Sequence, residues 1–271
     1  MPKSSLLLFF AIYILVSCSD ISNRLLDKIS ETEGPTGIES EQWKSISNFI
    51  NLLKSDNKSE ISKIVHYPLR RNYPLRSIKN RSDFLDRYDL IFDTEFKKRI
   101  LRADQNKSWS LMGLKGLMFH SGVIWLGLEG TIIAINNESK GEKAQRLKAI
   151  NLDKLQLNRE LRKFYEPVLE WRTKSYTIRV DQLNCFSSNL RYASWSQNKS
   201  KLDSPDLVLS NGTIIFDGNG GSHHYIFHNG NSEYKIYIYE IRGPDAPRGI
   251  LEVSTKSEVV LSEDLTSKTY E

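Results

Sequence analysis

The apolar residues of this chain repeat with two different periods, and the change from one to the other limits the folds available to it. Up to Leu101 they recur every three or four residues, as in the stripe Phe84, Tyr88 and Ile91, which predicts amphipathic helices. From Trp109 they alternate with a period of two, which predicts β-strands separated by turns. Because a segment patterned for one period does not bury its apolar side chains in the other structure, the sequence predicts an α+β protein.

A second strand-rich region follows a polar helical stretch, 138–166. Alternation resumes at Val168 and continues to Leu261 in about seven short runs. The pair Asn211-Gly212 lies between two apolar runs and predicts a two-residue hairpin turn. Short strands with tight turns are typical of a small antiparallel barrel or sandwich. The predicted architecture is therefore N-terminal helices packed on a curved antiparallel sheet, a helical connector, and a C-terminal antiparallel β-barrel or sandwich.

The N-terminus has the pattern of an export signal. Lys3 precedes an unbroken apolar run of 11 residues, Leu6 to Val16. A helix needs about 20 apolar residues to span a bilayer, so this run predicts a signal-peptide core rather than a membrane anchor. The run ends in Leu15-Val16-Ser17-Cys18, which resembles the lipobox of bacterial lipoproteins. The resemblance implies that Cys18 becomes the N-terminus and carries a thioether-linked diacylglycerol and an N-acyl chain; an ordinary secreted protein is the alternative.

The residue after Cys18 indicates which membrane the lipid anchor is expected to occupy. Ser19 stands where Asp retains lipoproteins at the inner membrane, so the resemblance implies a cell-envelope protein anchored in the outer membrane, periplasmic or surface-exposed.

The net charge of +5 is a small excess of 38 basic over 33 acidic residues, which favours no nucleic-acid partner. A hydrophobic fraction of 39% excludes wholesale disorder, and a mean hydropathy of −0.44 excludes a polytopic membrane protein.

The chain has two cysteines, Cys18 and Cys185. If Cys18 is acylated, Cys185 has no partner within the chain, so neither a disulfide framework nor a Cys-rich metal site is expected. Cys185 stands in the apolar-flanked stretch Leu183 to Phe186 and is predicted to be a small core residue.

These patterns divide the chain into six predicted parts. The first two belong to export and anchoring, and the last is a short tail. The parts are the signal peptide, 1–17; a lipid-anchored linker, 18–39; a helix-and-sheet domain, 40–137; a helical connector, 138–166; a barrel or sandwich domain, 167–262; and the tail, 263–271.

Between residues 40 and 137, predicted helices are followed by the segments HYPLR, DFLDRYDLIFDTEFKKRI and GLKGLMFHSGVIWLGLEGTIIAIN. This order resembles the cone-shaped, cystatin-like α+β fold of nuclear transport factor two and the SnoaL-like polyketide cyclases. The resemblance implies helices packed on a curved sheet around a cavity that relatives use for catalysis or for binding. Its enzymatic members place Asp and His inside the cone, whereas these strands offer no inward-facing acid and His120 lies on a predicted turn. The sequence therefore favours binding over catalysis.

Charged residues in this region are assigned to the surface. Asp93 is predicted to cap a helix rather than to join a metal or acid–base cluster. The basic cluster Arg70, Arg71 and Arg76 lies around two Tyr-Pro pairs and predicts a solvated edge. A phosphate or anionic-lipid contact is the alternative for these arginines.

The glycine loop Gly218–Ser222 contains Gly220 and Gly221. No helix is predicted after it, so a hairpin loop that needs positive φ explains the glycines better than a phosphate cradle. His224 and His228 are predicted to share one face of a strand about 13 Å apart, too far to hold one metal ion. No metal site and no cofactor are therefore expected.

Tyr237 and Tyr239 are predicted to share a face opposite Ile236 and Ile238. An exposed aromatic row favours recognition of a partner, and a filled barrel interior is the equal alternative. The glycine loop before an aromatic strand also resembles the membrane-bound lysozyme inhibitors, although the loop Ser and Arg of that family are not matched.

The sequence thus predicts a non-catalytic, lipid-anchored binding protein whose partner is an unknown protein or envelope ligand. An enzyme that uses the cone cavity is one alternative, and an inhibitor or immunity protein that acts through the glycine loop is another. The candidate ligand- or partner-binding residues are Gly220, Gly221, His224, Tyr237 and Tyr239.

Overall fold

The structure is a computed structural model that describes residues 37–185, 189–218, 221–240 and 245–268. The predicted signal peptide, Cys18 and Gly220 lie outside the described residues. The described chain is α+β, with helices and two antiparallel sheets, as the change of apolar period predicts. No helix in these ranges is long and apolar enough to cross a membrane.

Side-chain caps fix where the helices of the first region begin. Asn80 and Asp93 accept hydrogen bonds from the backbone N–H three residues further on, and Asp93 is therefore a cap, as predicted. The first helix is capped by Glu39, whose backbone N–H donates to Gln42 Oε1 at 2.6 Å. The helices are α1 Ser40–Lys54, α2 Lys58–Lys63, α3 Arg81–Ile91, α4 Thr94–Arg102, α5 Gln105–Ser108 and α6 Lys140–Leu155.

The first sheet has four short antiparallel strands in sequential order, β1 Trp109–Leu111, β2 Leu117–Phe119, β3 Ile124–Leu126 and β4 Ile132–Ile135. A 3₁₀ turn, Gly113–Lys115, lies between β1 and β2. Rings from the helices meet rings from the sheet, with Phe49 and Phe119 each packed on Trp109 at centroid distances of 6.3 and 5.0 Å. Aromatic side chains thus occupy the space between helices and sheet where the predicted cone cavity would lie.

The second sheet has nine strands among the described residues, and eight of them follow one another as antiparallel neighbours. The last, β13, pairs with β5 at the opposite edge, although only two residues separate it from β12. The sheet must therefore curl into a half-barrel, and the predicted tail supplies β13. The strands are β5 Glu166–Arg172, β6 Tyr176–Gln182, β7 Leu190–Ser196, β8 Leu207–Phe216, β9 His223–Asn229, β10 Ser232–Ile238, β11 Gly249–Thr255, β12 Glu258–Asp264 and β13 Ser267–Lys268.

The hairpin predicted at Asn211-Gly212 is wrong, because both residues lie inside β8. Asn211 has a φ of +61°, and the pairing with β7 shifts so that Leu190 faces Gly212 while Tyr192 faces Leu209. The Asn-Gly pair therefore forms a bulge within one long strand, at the point where β8 changes its partner from β7 to β9.

The two faces of the half-barrel differ. The inner face is an apolar core that includes Trp171, Tyr192 and Phe227. The outer face of β5–β7 is covered by α6 and the following 3₁₀ turn, Arg159–Leu161, in the cluster Ile150, Leu157, Leu161, Phe164, Ala193 and Trp195. The outer face of β8–β12 is different, since each of its described side chains is exposed or half-buried.

Ion pairs, one of them fully buried, hold the first region against α6 and α6 against the half-barrel. Arg71, predicted to lie on a solvated edge, has a side chain that is only 3% exposed and is paired with Glu142 of α6. Arg146 of α6 donates to both carboxylate oxygens of Glu166 at 2.9 and 3.0 Å and to the Tyr73 carbonyl at 2.8 Å. The prediction for Arg71 fails because the carboxylate that neutralises it lies 71 residues away in the sequence.

The prediction for Cys185 is also wrong. It is half-buried and disulfide-bonded, whereas the sequence predicted a core residue with no partner in the chain. The other cysteine of the sequence is Cys18, which is not among the described residues.

Candidate functional site

Three predicted site residues come together on the uncovered outer face of the half-barrel. His224 on β9 lies opposite Tyr237 on β10 in the strand register, and their ring centroids are 5.1 Å apart. The Tyr239 ring is stacked beside Tyr237 at 6.3 Å, with 19° between the ring planes. All three side chains are half-buried. We call His224, Tyr237 and Tyr239 the outer aromatic row.

The alternation of side chains along β10 shows whether Tyr237 and Tyr239 fill the barrel interior or form an exposed row. Ile236 is fully buried in the inner core, so Tyr237 and Tyr239, at odd-numbered positions, project from the opposite, outer face. The interior is filled by other aromatic side chains, Tyr192, Tyr225 and Phe227. The tyrosines of the outer aromatic row are therefore surface residues rather than barrel filling.

Carboxylates border the outer aromatic row. Asp217 lies 3.1 Å from His224 Nδ1. Burial raises the pKa of Tyr237 and Tyr239, and the Glu252 and Asp217 carboxylates add to the rise for both phenols. The Lys235 ammonium opposes this rise at Tyr237, so charges of both signs lie within electrostatic range of the rings.

Only part of the glycine loop belongs to this site. Gly218 and Gly221 have φ values of +70° and +86°, as a hairpin loop requires. The Gly221 carbonyl contacts His223 Nδ1 at 2.9 Å, and the second ring nitrogen of His223 lies 3.2 Å from the Tyr225 hydroxyl of the inner side. Gly221 is thus next to the row but turned from it.

A polar cleft of about 430 Å³ continues along the same face toward the far end of β10 and β11. Lys235 donates to Glu233 at 2.6 Å, and this hydrogen bond lowers the pKa of Glu233 and raises that of Lys235. Glu252 lines the cleft and also acts on the rings, so the cleft and the outer aromatic row form one surface. Sequence reasoning missed the cleft because its lining depends on strand register.

A buried ion cluster occupies the covered half of the same sheet face. Arg179 donates to Asp181 at 2.8 Å, to Glu170 at 3.0 Å and to Asp153 of α6 at 2.7 Å. Arg191 pairs with Asp181, and Lys201 pairs with Glu170, each at 2.7 Å. Three carboxylates and three cations thus neutralise one another beneath α6. This cluster fixes the helix on the sheet and has no open side chain to offer a ligand.

A larger cleft, about 930 Å³, lies between the first region and the half-barrel. Its walls carry both signs of charge, including Arg99 from α4, Lys140 from α6 and Glu138. Burial raises the pKa of Glu138. The volume fits a small ligand, but acids and bases are mixed along its walls, so the charges favour no single class of ligand.

The geometry offers little for catalysis or for a metal. His120 has a φ of +47° on a turn and packs edge-on against Phe119, so it does not enter the first region's core. The close acid–histidine pair is Asp217 and His224, which lies on the open outer face. Across the described ranges, no group of three His, Cys, Asp or Glu side chains is placed to hold a metal ion.

Comparison with other proteins gives no independent guide to this surface. No protein-family model, no curated protein and no solved structure matches the chain.

Proposed function

We propose that this chain is a bacterial cell-envelope lipoprotein, anchored in the outer membrane through an acylated Cys18, that acts by binding a partner and not by catalysis. The apolar run and the Leu15-to-Cys18 segment support the anchor. Each buried CH₂ of an acyl chain contributes about 0.8 kcal/mol, and two or more chains give stable attachment.

The outer aromatic row carries the binding part of the proposal. Tyrosine rings supply large contact area with little loss of conformational entropy, and they are enriched at interfaces. Elsewhere on this sheet face α6 covers the strands, whereas His224, Tyr237 and Tyr239 stay accessible. We infer that a partner covers them.

The finer fold is also part of the proposal. Helices on a four-stranded antiparallel sheet are compatible with the cone-shaped fold of nuclear transport factor two. The half-barrel approaches a closed barrel, since Thr266 N–H donates to the Arg172 carbonyl at 2.8 Å and Leu265 N–H donates to the Gly249 carbonyl at 2.9 Å. Consecutive residues therefore bond first to β11 and then to β5 at the other side of the sheet.

Site-specific photo-crosslinking in intact cells tests the binding role. The full chain carries p-benzoylphenylalanine in place of Tyr239 or, as the control, in place of Leu114, which is fully exposed in the first region. We expect a discrete cross-linked species at Tyr239 and none at Leu114. Equal cross-linking at both positions, or none at either, contradicts binding through the outer aromatic row.

Shortening the glycine loop, 218–222, separates this proposal from an inhibitor or immunity role. If the outer aromatic row binds the partner, the Tyr239 cross-link persists after the loop is shortened. Its loss in a variant that still folds favours the loop as the contact.

A further inference from the structure

The first sheet carries apolar side chains on the face that points away from the helices. Antiparallel sheets with one buried face commonly place polar side chains on the other face. None of the outward side chains of β1–β4 is charged, and none belongs to the apolar core between helices and sheet. These residues, which we call the first-sheet outer face, are Ser110, Met118, Trp125, Ile133 and Ala134.

The turn between β1 and β2 continues this apolar surface beyond the paired ends of the strands. Its side chains include Leu114, which is 100% exposed, and Met112, which is 42% exposed. The loop after β3 lies at the same end of the sheet, because Leu117 of β2 pairs with Leu126 of β3. That loop adds Leu128, a third exposed aliphatic side chain. We call Met112, Leu114 and Leu128 the apolar tip.

The size of the first-sheet outer face argues against a protein partner. Four strands about 4.8 Å apart and three or four residues long cover roughly 200 Å². A stable protein–protein interface buries about 800 Å² on each partner. A bilayer needs no such area if the chain already has a lipid anchor, since the second contact is then made within one anchored molecule.

The chemistry and the position of the surface also fit a lipid. Its exposed side chains are aliphatic, and its one aromatic residue is a tryptophan, a residue enriched where membranes meet water. Ser45 Oγ of α1 donates to the Leu128 carbonyl at 3.3 Å, and α1 begins five residues earlier, about 8 Å along the helix. The segment that leads from the proposed anchor therefore joins the fold near the apolar tip.

The charges at this end of the sheet are mixed. Lys115 is exposed beside Leu114, and Glu129 is exposed beside Leu128. His66 lies close enough to Glu129 to lower the pKa of its carboxyl. Because both signs are present, we expect no preference for anionic over zwitterionic lipids.

From these observations we propose that the first-sheet outer face and the apolar tip lie against the membrane that holds the lipid anchor. Leu114 and Met112 enter the boundary between headgroups and acyl chains, and Trp125 lies at the level of the headgroups. The contact rests on the proposed anchor at Cys18 and orients the first region on the membrane.

Quenching of tryptophan fluorescence by brominated lipid tests the membrane contact. The full-length acylated protein is reconstituted in phosphatidylcholine vesicles with and without brominated acyl chains, and again with added phosphatidylglycerol. We expect quenching of equal size in both compositions. Trp125→Phe should reduce it at least twofold, because Trp109, Trp171 and Trp195 are buried in the fold.

Matched variants locate the contact. Met112→Ser with Leu114→Ser should also reduce the quenching at least twofold, because the apolar tip then no longer enters the lipid. The control Leu202→Ser removes a leucine that is 56% exposed on the half-barrel and should leave the quenching unchanged. Circular dichroism shows that each variant is folded. In native membranes, p-benzoylphenylalanine at Leu114 should cross-link to lipid and not to a protein.

Flotation of the vesicles measures the anchor separately from the membrane contact. If the protein floats but is not quenched, or if Met112→Ser with Leu114→Ser behaves like Leu202→Ser, the contact is wrong and the anchor stands. If the protein does not float, the anchor and the contact both fail. A protein captured at Leu114 in cells would make the occupant a protein and would also overturn the contact. Quenching that only the face and tip variants reduce supports it.

Discussion

At the scale of single residues, Arg179 shows how strongly this fold depends on charges that the sequence gives no reason to place in the interior. The guanidinium is fully buried and hydrogen-bonded to three carboxylates from two strands and a helix. Burial lowers the pKa of Arg179, but Asp181 and Asp153 raise it by more, so the side chain stays charged. A charge in this position is tolerated only while its partners remain.

We therefore expect Arg179→Met to destabilise the protein by about 3–5 kcal/mol, because it leaves buried carboxylates without their shared cation. The measurement is urea unfolding followed by circular dichroism. Arg76→Met, which removes an exposed arginine, is the control and should change the free energy of unfolding by less than about 0.5 kcal/mol. Equal stability of the two variants would mean that the cluster is dispensable.

At the scale of secondary-structure elements, the spacing of apolar residues predicted which face of a helix or strand is buried. The stripe of Phe84, Tyr88 and Ile91 is buried on α3, and the alternation of β10 places its two outward tyrosines on one face. The partner of each strand is decided at long range. No periodicity in the sequence states that His224 lies opposite Tyr237, or that Arg71 meets a carboxylate of α6.

The Asn211-Gly212 pair shows where a local pattern gives the wrong element. Its composition suits a two-residue turn, but the chain continues straight because β8 finds partners on both sides of the bulge. Gly212 is required here for close packing, since a Cβ at this position would lie 2.0 Å from a ring carbon of Phe227. The glycine thus serves a tertiary contact that the sequence pattern does not show.

Gly212→Ala is accordingly expected to destabilise the protein by about 1–3 kcal/mol, the usual effect of overpacking a well-filled core. Thermal and urea unfolding measure the change. Ser210→Ala lies on the same strand but is exposed, and it should be close to neutral. If the Asn-Gly pair were a hairpin turn in solution, Gly212→Ala would not contact Phe227 and both variants would behave alike.

At the scale of the whole molecule, one sheet face serves two purposes. Its β5–β7 half is sealed by α6 with balanced charges, which joins the half-barrel to the first region. Its β8–β12 half is left open, with tyrosine rings among exposed and half-buried polar side chains. If the proposed lipid anchor holds the chain in the envelope, the open half is the face that a partner there can contact.

Acylation of Cys18 competes with disulfide formation at the same sulfur atom. Cys185 is disulfide-bonded in the structure, and within one chain Cys18 is the other cysteine. A cysteine sulfur forms either a thioether to diacylglycerol or a disulfide. The lipoprotein proposal and a Cys18–Cys185 bond therefore exclude each other in any one molecule.

Mass spectrometry of the protein from native membranes decides between them. Because Cys18 directly follows the lipobox-like segment, we expect an N-terminal peptide that begins at Cys18 and carries three acyl chains. Non-reducing digestion should then yield no peptide pair that joins Cys18 to Cys185. Cys18→Ala should abolish the acyl mass, whereas Cys185→Ala, the matched control, should keep it. A bare thiol at Cys18, or the linked peptide pair, would remove the membrane anchor and with it the placement of the open sheet face in the envelope.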